Sequence, residues 1–144
     1  MEDQQKMNEL INEINAYNQQ SELIRQQIEL IQSSIAEVDT LSNTIDDLDG
    51  QDSVEAFVPV GAGSFIKGEL KETDEIIISI GAGFAIKKDA EGAKEIIAGQ
   101  KKDLEDSLDK MLANLQQVTD IIGNLQAQAQ QISAAAQGGV TGLN

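Results

Sequence analysis

Two rhythms of apolar and polar positions alternate along this chain. Over residues 7–45 apolar side chains recur at steps of three and four, with Met7, Ile14, Ser21, Ile28, Ile35 and Ser42 at a heptad's a positions and Leu10, Tyr17, Ile24, Ile31, Val38 and Ile45 at d. Gln, Asn and Glu dominate elsewhere, and no proline interrupts the run. A seam held for more than five heptads predicts a coiled-coil helix from about residue 3 to about residue 49, roughly 70 Å long at about 1.5 Å per residue. A second seam places Leu104, Met111, Val118, Leu125 and Ile132 at d, with Leu108, Leu115, Ile122, Ala129 and Ala136 at a. Toward its start Lys94 and Lys101 take a positions, and Asp89 is the expected N-cap, its carboxylate accepting from the open amides of the first turn. Gly92, Gly99 and Gly123 each cost about 1 kcal/mol relative to alanine inside a helix, so this second rod depends on its partner.

Between the two helices the period changes. From Glu55 to Lys87 short runs rich in Val, Ile and Phe read as strands, and the octapeptide Val60-Gly61-Ala62-Gly63-Ser64-Phe65-Ile66-Lys67 returns as Ile80-Gly81-Ala82-Gly83-Phe84-Ala85-Ile86-Lys87. Glycine admits the positive φ that tight hairpin turns need, so each copy predicts one β-hairpin, with Lys71–Asp74 as the polar connection. Pro59 lacks an amide donor, which makes the first strand an edge or bulges it there. Neither copy is a phosphate loop: the Walker spacing is absent, and Ile66 stands where a dinucleotide fingerprint needs its third glycine, with a strand following instead of a helix. A compact joint makes the two helices antiparallel, with facing residue numbers summing to about 138. Ile14 then lies near Leu125, Met7 near Ile132, and Lys101 near Glu37.

Composition limits what else the chain can be. Its only aromatic residues are Tyr17, Phe57, Phe65 and Phe84, too few for a large globular core, and the phenylalanines place whatever core exists in the middle segment. A single hairpin is marginal in water and leaves unpaired edges. Equivalent hairpins from other chains are therefore expected to close the sheet, through Phe57, Val58, Val60, Phe65, Ile66, Ile76, Ile78, Ile80, Phe84 and Ile86. Lys67 and Lys87, at matching places, are candidate gatekeepers of the edges. The expected fold class is α+β, a long antiparallel α-helical coiled coil whose two central β-hairpins join an intersubunit β-barrel. Its divisions are a helix over 1–50, an oligomerisation platform over 51–88, a helix over 89–137 and a flexible tail over 138–144.

The net charge of −15 disfavours phosphate backbones and anionic membranes, so neither nucleic acid nor membrane is an expected partner. Without histidine or cysteine the usual metal ligands, general bases and disulfides are missing. No catalytic residue, metal or cofactor is expected, and the chain does not read as an enzyme. Its start is acidic where a signal peptide would be basic, and its longest aliphatic run is Ile76–Ile78, so a soluble, cytoplasmic protein is expected.

Helix, two hairpins and helix in that order, with Val58-Pro59-Val60-Gly61-Ala62-Gly63-Ser64-Phe65-Ile66-Lys67 and then Ile80-Gly81-Ala82-Gly83, resemble the alpha-type subunits of the prefoldin family over nearly the whole chain. Beta-type subunits of that family carry one hairpin. The resemblance implies a chaperone hexamer of two alpha with four beta subunits, a double β-barrel platform bearing six coiled-coil tentacles. It also implies that unfolded client proteins are held at the tentacle ends and delivered, without ATP use, to a group II chaperonin. Those ends are the two termini, which makes Met7, Leu10, Ile11, Ile14, Leu125 and Ile132 the candidate client-binding residues. Ile11 at an e position, with Leu23 and Leu30 at c positions, lies outside the seam. The rival reading is a structural coiled-coil or filament-forming prefoldin-like protein that needs no beta-type partner.

Overall fold

The computed structural model describes the backbone of residues 2–141 and the side chains of residues 2–136. In chain order the elements are α1 (Glu2–Leu48), β1 (Ser53–Gly61), β2 (Ser64–Lys71), β3 (Ile76–Gly81), β4 (Phe84–Lys88) and α2 (Ala90–Thr141). β1 pairs with β2 and β3 with β4, each an antiparallel two-stranded sheet. Two long helices and two hairpins are thus the expected α+β class. α2 runs to Thr141, four residues past the boundary expected at 137. The remainder of the expected tail, residues 142–144, lies outside the described residues.

The chain divides into two compact units, one formed by the chain up to Ser33 with that from Asp106 onward, the other by Ser34–Glu105. In the first, burial follows the heptad closely. From Met7 to Ile31 the a and d side chains are buried or half-buried and every other position is exposed; the same holds from Leu108 to Ile132. Ile24, Ile28 and Val118 form its centre, with Tyr17, Leu108, Met111, Leu115 and Ile122 packed around them. Ser21, the polar a position, is buried in the seam, and Arg25 Nε donates to its Oγ at 3.4 Å.

The second unit has an aliphatic core of Ile45, Ile78, Ala90, Ala93 and Ile97, bordered by Val38, Ile76 and Ile96. Ala93 is fully inaccessible to solvent. Two small side chains one turn apart on α2 let β3 approach the helix closely enough to bury Ile78. The phenylalanines take no part in this core: Phe57, Phe65 and Phe84 are 72%, 60% and 69% exposed, correcting the expectation that they would mark it. Asp89 caps α2 as expected, its Oδ1 accepting from Gly92 N at 2.8 Å.

Both seam lysines are paired, Lys94 with Asp46 and Lys101 with Asp39 at 2.7 Å. Glu37 is not the partner of Lys101. It occupies a c position pointing away from the seam, whereas Asp39 and Asp46 occupy e positions beside it. The pairs sum to 140, two more than expected, and fix the helices of this unit as antiparallel.

Candidate functional site

The repeated octapeptide builds a turn and a bulge. Pairing runs from Ser53↔Lys71 to Pro59↔Phe65 and then shifts by one residue to Gly61↔Ser64, leaving Val60 without a partner. The second hairpin does the same at Ile80, between Ser79↔Ala85 and Gly81↔Phe84. Each two-residue loop has positive φ at both positions, 50° at Ala62 and 73° at Gly63, then 55° at Ala82 and 80° at Gly83. That is the requirement of the primed turns whose twist suits a hairpin. The extra residue in each strand adds local twist and projects Val60 and Ile80 outward, 55% and 49% exposed.

Cross-strand partners share a face, so the register sorts the side chains of the first hairpin. One face carries Val54, Ala56 and Val58 opposite Leu70, Gly68 and Ile66, without a single polar side chain. The other carries Glu55, Phe57 and Pro59 opposite Glu69, Lys67 and Phe65. Lys67 Nζ reaches Glu55 Oε1 at 3.4 Å, which places that candidate gatekeeper in an exposed ion pair. Val58, Ile66 and Leu70 remain exposed, as do both phenylalanines. A hairpin with one apolar face and an aromatic pair on the other exposes far more apolar surface than scattered single residues would.

The second hairpin is anchored to its own chain. Ile78, paired with half-buried Ile86, is in the aliphatic core, and Gln100 Nε2 donates to Ser79 O at 3.2 Å. Ile78, expected among the assembly residues, is thus buried in the core of its own chain, and Ile76 packs beside it. The outward face instead presents Ile77, opposite Lys87. Ile77, Val54 and Leu70, exposed or half-buried on these hairpin faces, are not among the residues the sequence singled out. The alternation Ile66-Lys67-Gly68-Glu69-Leu70, with Glu55 between Val54 and Ala56, carried the signal for the first hairpin, whereas the run Ile76-Ile77-Ile78 carries no period from which to tell its two faces.

Near the helix termini the expected client residues are mostly seam residues. Leu10 and Leu125 are buried, Met7, Ile14 and Ile132 half-buried, and only Ile11 is well exposed. Leu10 and Ile132 do line an open cleft with Lys6, Glu9, Glu13, Gln128 and Gln131. No helix among the described residues is long and apolar enough to cross a membrane, and no group of three acidic side chains among them is placed to hold a metal ion.

With that geometry in place, comparison with known proteins is informative. A family profile, Prefoldin subunit, matches residues 17–135. The prefoldin subunit alpha of Methanobrevibacter smithii is 73% identical over 146 aligned positions, covering 100% of both chains. That of Methanosphaera stadtmanae is 37% identical, covering 70% of this chain and 72% of its own. The backbone is similar to that in the cryo-EM structure of filamentous PFD from Methanocaldococcus jannaschii, with TM-score 0.53, 23% identity and coverage of 89% of this chain and 98% of that one. At that identity the likeness speaks for the fold alone.

Proposed function

The chain belongs to the prefoldin family, and on that premise we propose that it is the alpha-type subunit of an ATP-independent holding chaperone. Two copies join four beta-type subunits, the hairpins closing a shared β-barrel platform. The coiled coils hold unfolded proteins for delivery to a group II chaperonin in the cytoplasm. One observation supports this reading most: one face of the first hairpin, Val54, Ala56, Val58, Ile66, Gly68 and Leu70, is wholly apolar, with Val58, Ile66 and Leu70 exposed and the others half-buried. The chain satisfies its helices internally and leaves its sheet to be satisfied by others. The assembly set is Phe57, Val58, Val60, Phe65, Ile66, Ile80 and Phe84, joined by Val54, Leu70 and Ile77, with Ile76 and Ile86 at its margin.

Client holding calls for apolar groups that are exposed and only moderately strong. Ile11 meets that condition as it stands, whereas Met7, Leu10, Ile14, Leu125 and Ile132 become available as the helix ends fray.

Mixing the purified chain with a beta-type prefoldin subunit and weighing the product by light scattering tests the assembly, and suppression of aggregation of a denatured client tests the activity. A discrete hetero-oligomer that suppresses aggregation is expected. A stable monomer that ignores the beta-type subunit would overturn the reading, and long polymers of the chain alone would favour the filament-forming alternative. Removing residues 1–10 and 133–144 together is expected to weaken holding and leave the mass of the assembly unchanged.

A further inference from the structure

The joint between α1 and β1 holds chemistry that neither the seam nor the hairpins use. Asp49 and Gly50 directly follow the last residue of α1, and Asp49 is the only aspartate or asparagine in the chain with a glycine after it. Both residues are exposed. Asp49 N still donates to Ile45 O at 3.0 Å and Gln51 N to Leu48 O at 3.3 Å, whereas Gly50 N, between them, donates to no backbone carbonyl among the described residues. Gly50 has φ 79°, and the space where a Cβ would stand has no neighbour within 4 Å. The Asp49 carboxylate has no ion pair among the described residues, unlike that of Asp46, which holds Lys94. An unpaired carboxyl group and a backbone nitrogen released from the helix ladder thus stand on adjacent residues, with no side chain on the second to keep them apart.

Asp106 offers the contrast. It also precedes a small residue, Ser107, but both lie well inside α2, where the amide of Ser107 is committed to the helix ladder. Its nitrogen is not free to react until the helix opens.

We propose that Asp49 is a site of spontaneous isomerisation to isoaspartate. Gly50 N attacks Cγ of Asp49 in its carboxylic acid form. The N–Cγ bond forms, the Cγ–OH bond breaks, and the hydroxyl leaves with the amide proton as water, giving a cyclic succinimide. Water then adds to either ring carbonyl. Opening at Cγ restores aspartate; opening at the main-chain carbonyl carbon leaves the backbone running through Cβ and Cγ, with a free α-carboxylate. The water lost in closure is regained in opening, and no oxidant, reductant or other reactant is required.

The place of this change matters because the backbone is lengthened immediately before Gln51. Gln51 O accepts from Thr73 Oγ1 at 2.6 Å, a bond that ties the connection between the two hairpins back to the end of α1, and Gln51 Nε2 donates to Asp47 O at 3.1 Å. Isoaspartate at position 49 would displace Gln51 from both partners and alter how the first hairpin leaves the helix. The inference does not rest on the chaperone reading, since the reaction needs only the joint itself.

The test incubates the full-length protein at neutral pH, once folded and once unfolded in guanidinium chloride, and follows isoaspartate by digestion and electron-transfer fragmentation, which cleaves the isoaspartyl backbone between Cα and Cβ and so locates it. Folding is expected to leave the rate at Asp49 within a few-fold of its unfolded value and to suppress the rate at Asp106 far more strongly. A transient species lighter by one water is expected in the parent and absent in Asp49→Glu, which keeps the charge but closes to a less favourable, larger ring. Folding that slows Asp49 as strongly as Asp106 would overturn the proposal, as would isoaspartate that accumulates in the folded protein at Asp106 or Asp52 before it does at Asp49.

Discussion

Lys101 on α2 and Asp39 on α1 meet at 2.7 Å, an a position of one helix against an e position of the other, and Lys94 repeats the arrangement one heptad away with Asp46. A charged side chain enters the seam and finds a carboxylate waiting at its edge. The hydrogen bond to Asp39, and then that residue's charge, hold the Lys101 ammonium above the ordinary lysine value of 10.5. The folded state therefore binds this proton more tightly than the unfolded chain does. The stabilisation is complete below 10.5 and is lost as pH rises through the raised value. Asp39→Asn is expected to lower the melting temperature by a constant amount from neutral pH up to 10.5, with the gap closing at higher pH. A gap that stays open in strong alkali would assign the effect to something other than this pair.

The start of α2 couples a cap to a glycine. Asp89→Ala is expected to cost about 1 kcal/mol in urea unfolding of the protein at one fixed concentration. Gly92→Ala would gain about 1 kcal/mol in helix propensity elsewhere. Here the new Cβ would stand 2.9 Å from Asp89 Oδ1 and 3.2 Å from Lys88 Cδ, so the capping side chain has to move aside. The alanine is therefore expected to stabilise the Asp89→Ala background more than it stabilises the parent. Equal gains in the two backgrounds would show that the cap and the glycine act independently.

How much of this was legible beforehand differs by element. The helices were readable because a heptad seam is a local pattern that one partner helix satisfies, and the buried positions follow it from Met7 to Ile31 and from Leu108 to Ile132. The turns were readable because Gly-Ala-Gly leaves few backbone alternatives. The partner of Lys101 was not, since an offset of two residues separates Asp39 from Glu37 and only the packed helices set it. Nor was the division of labour between hairpins. It depends on Ala90 and Ala93, whose small size matters only once β3 lies against them. Leu23 and Leu30 were visible as departures from the seam, and both are exposed.

Ala62 and Ala82 occupy the left-handed region, at φ 50° and 55°, where a Cβ costs roughly 1 kcal/mol that glycine avoids. Ala62→Gly and Ala82→Gly are each expected to stabilise the protein by up to about 1 kcal/mol, and Gly63→Ala and Gly83→Ala to destabilise it by a similar amount. Urea midpoints at one protein concentration are the measurement. Destabilisation by both alanine-to-glycine changes would mean that Ala62 and Ala82 make contacts in the assembly that outweigh their strain.

Ile77 and Ile78 are adjacent on β3 and face opposite ways. Ile78 is 4% exposed in the core with Ile45, Ala93 and Ile97, and Ile77 is 68% exposed on the outer face. Ile78→Ala removes buried methyl groups with no neighbour free to fill the space, and a loss of about 2–5 kcal/mol is expected. Ile78→Lys is expected to melt this end of the coiled coil, visible as lost helix by circular dichroism. Ile77→Lys places a charge where another chain's strand would pack. It is expected to keep the helical signal and shift the mass by light scattering toward smaller species. If Ile77→Lys assembles as the parent does while Phe57→Glu with Ile66→Glu does not, only the first hairpin contributes to the intersubunit sheet. If neither affects assembly, the exposed hairpin faces do not hold the subunits together.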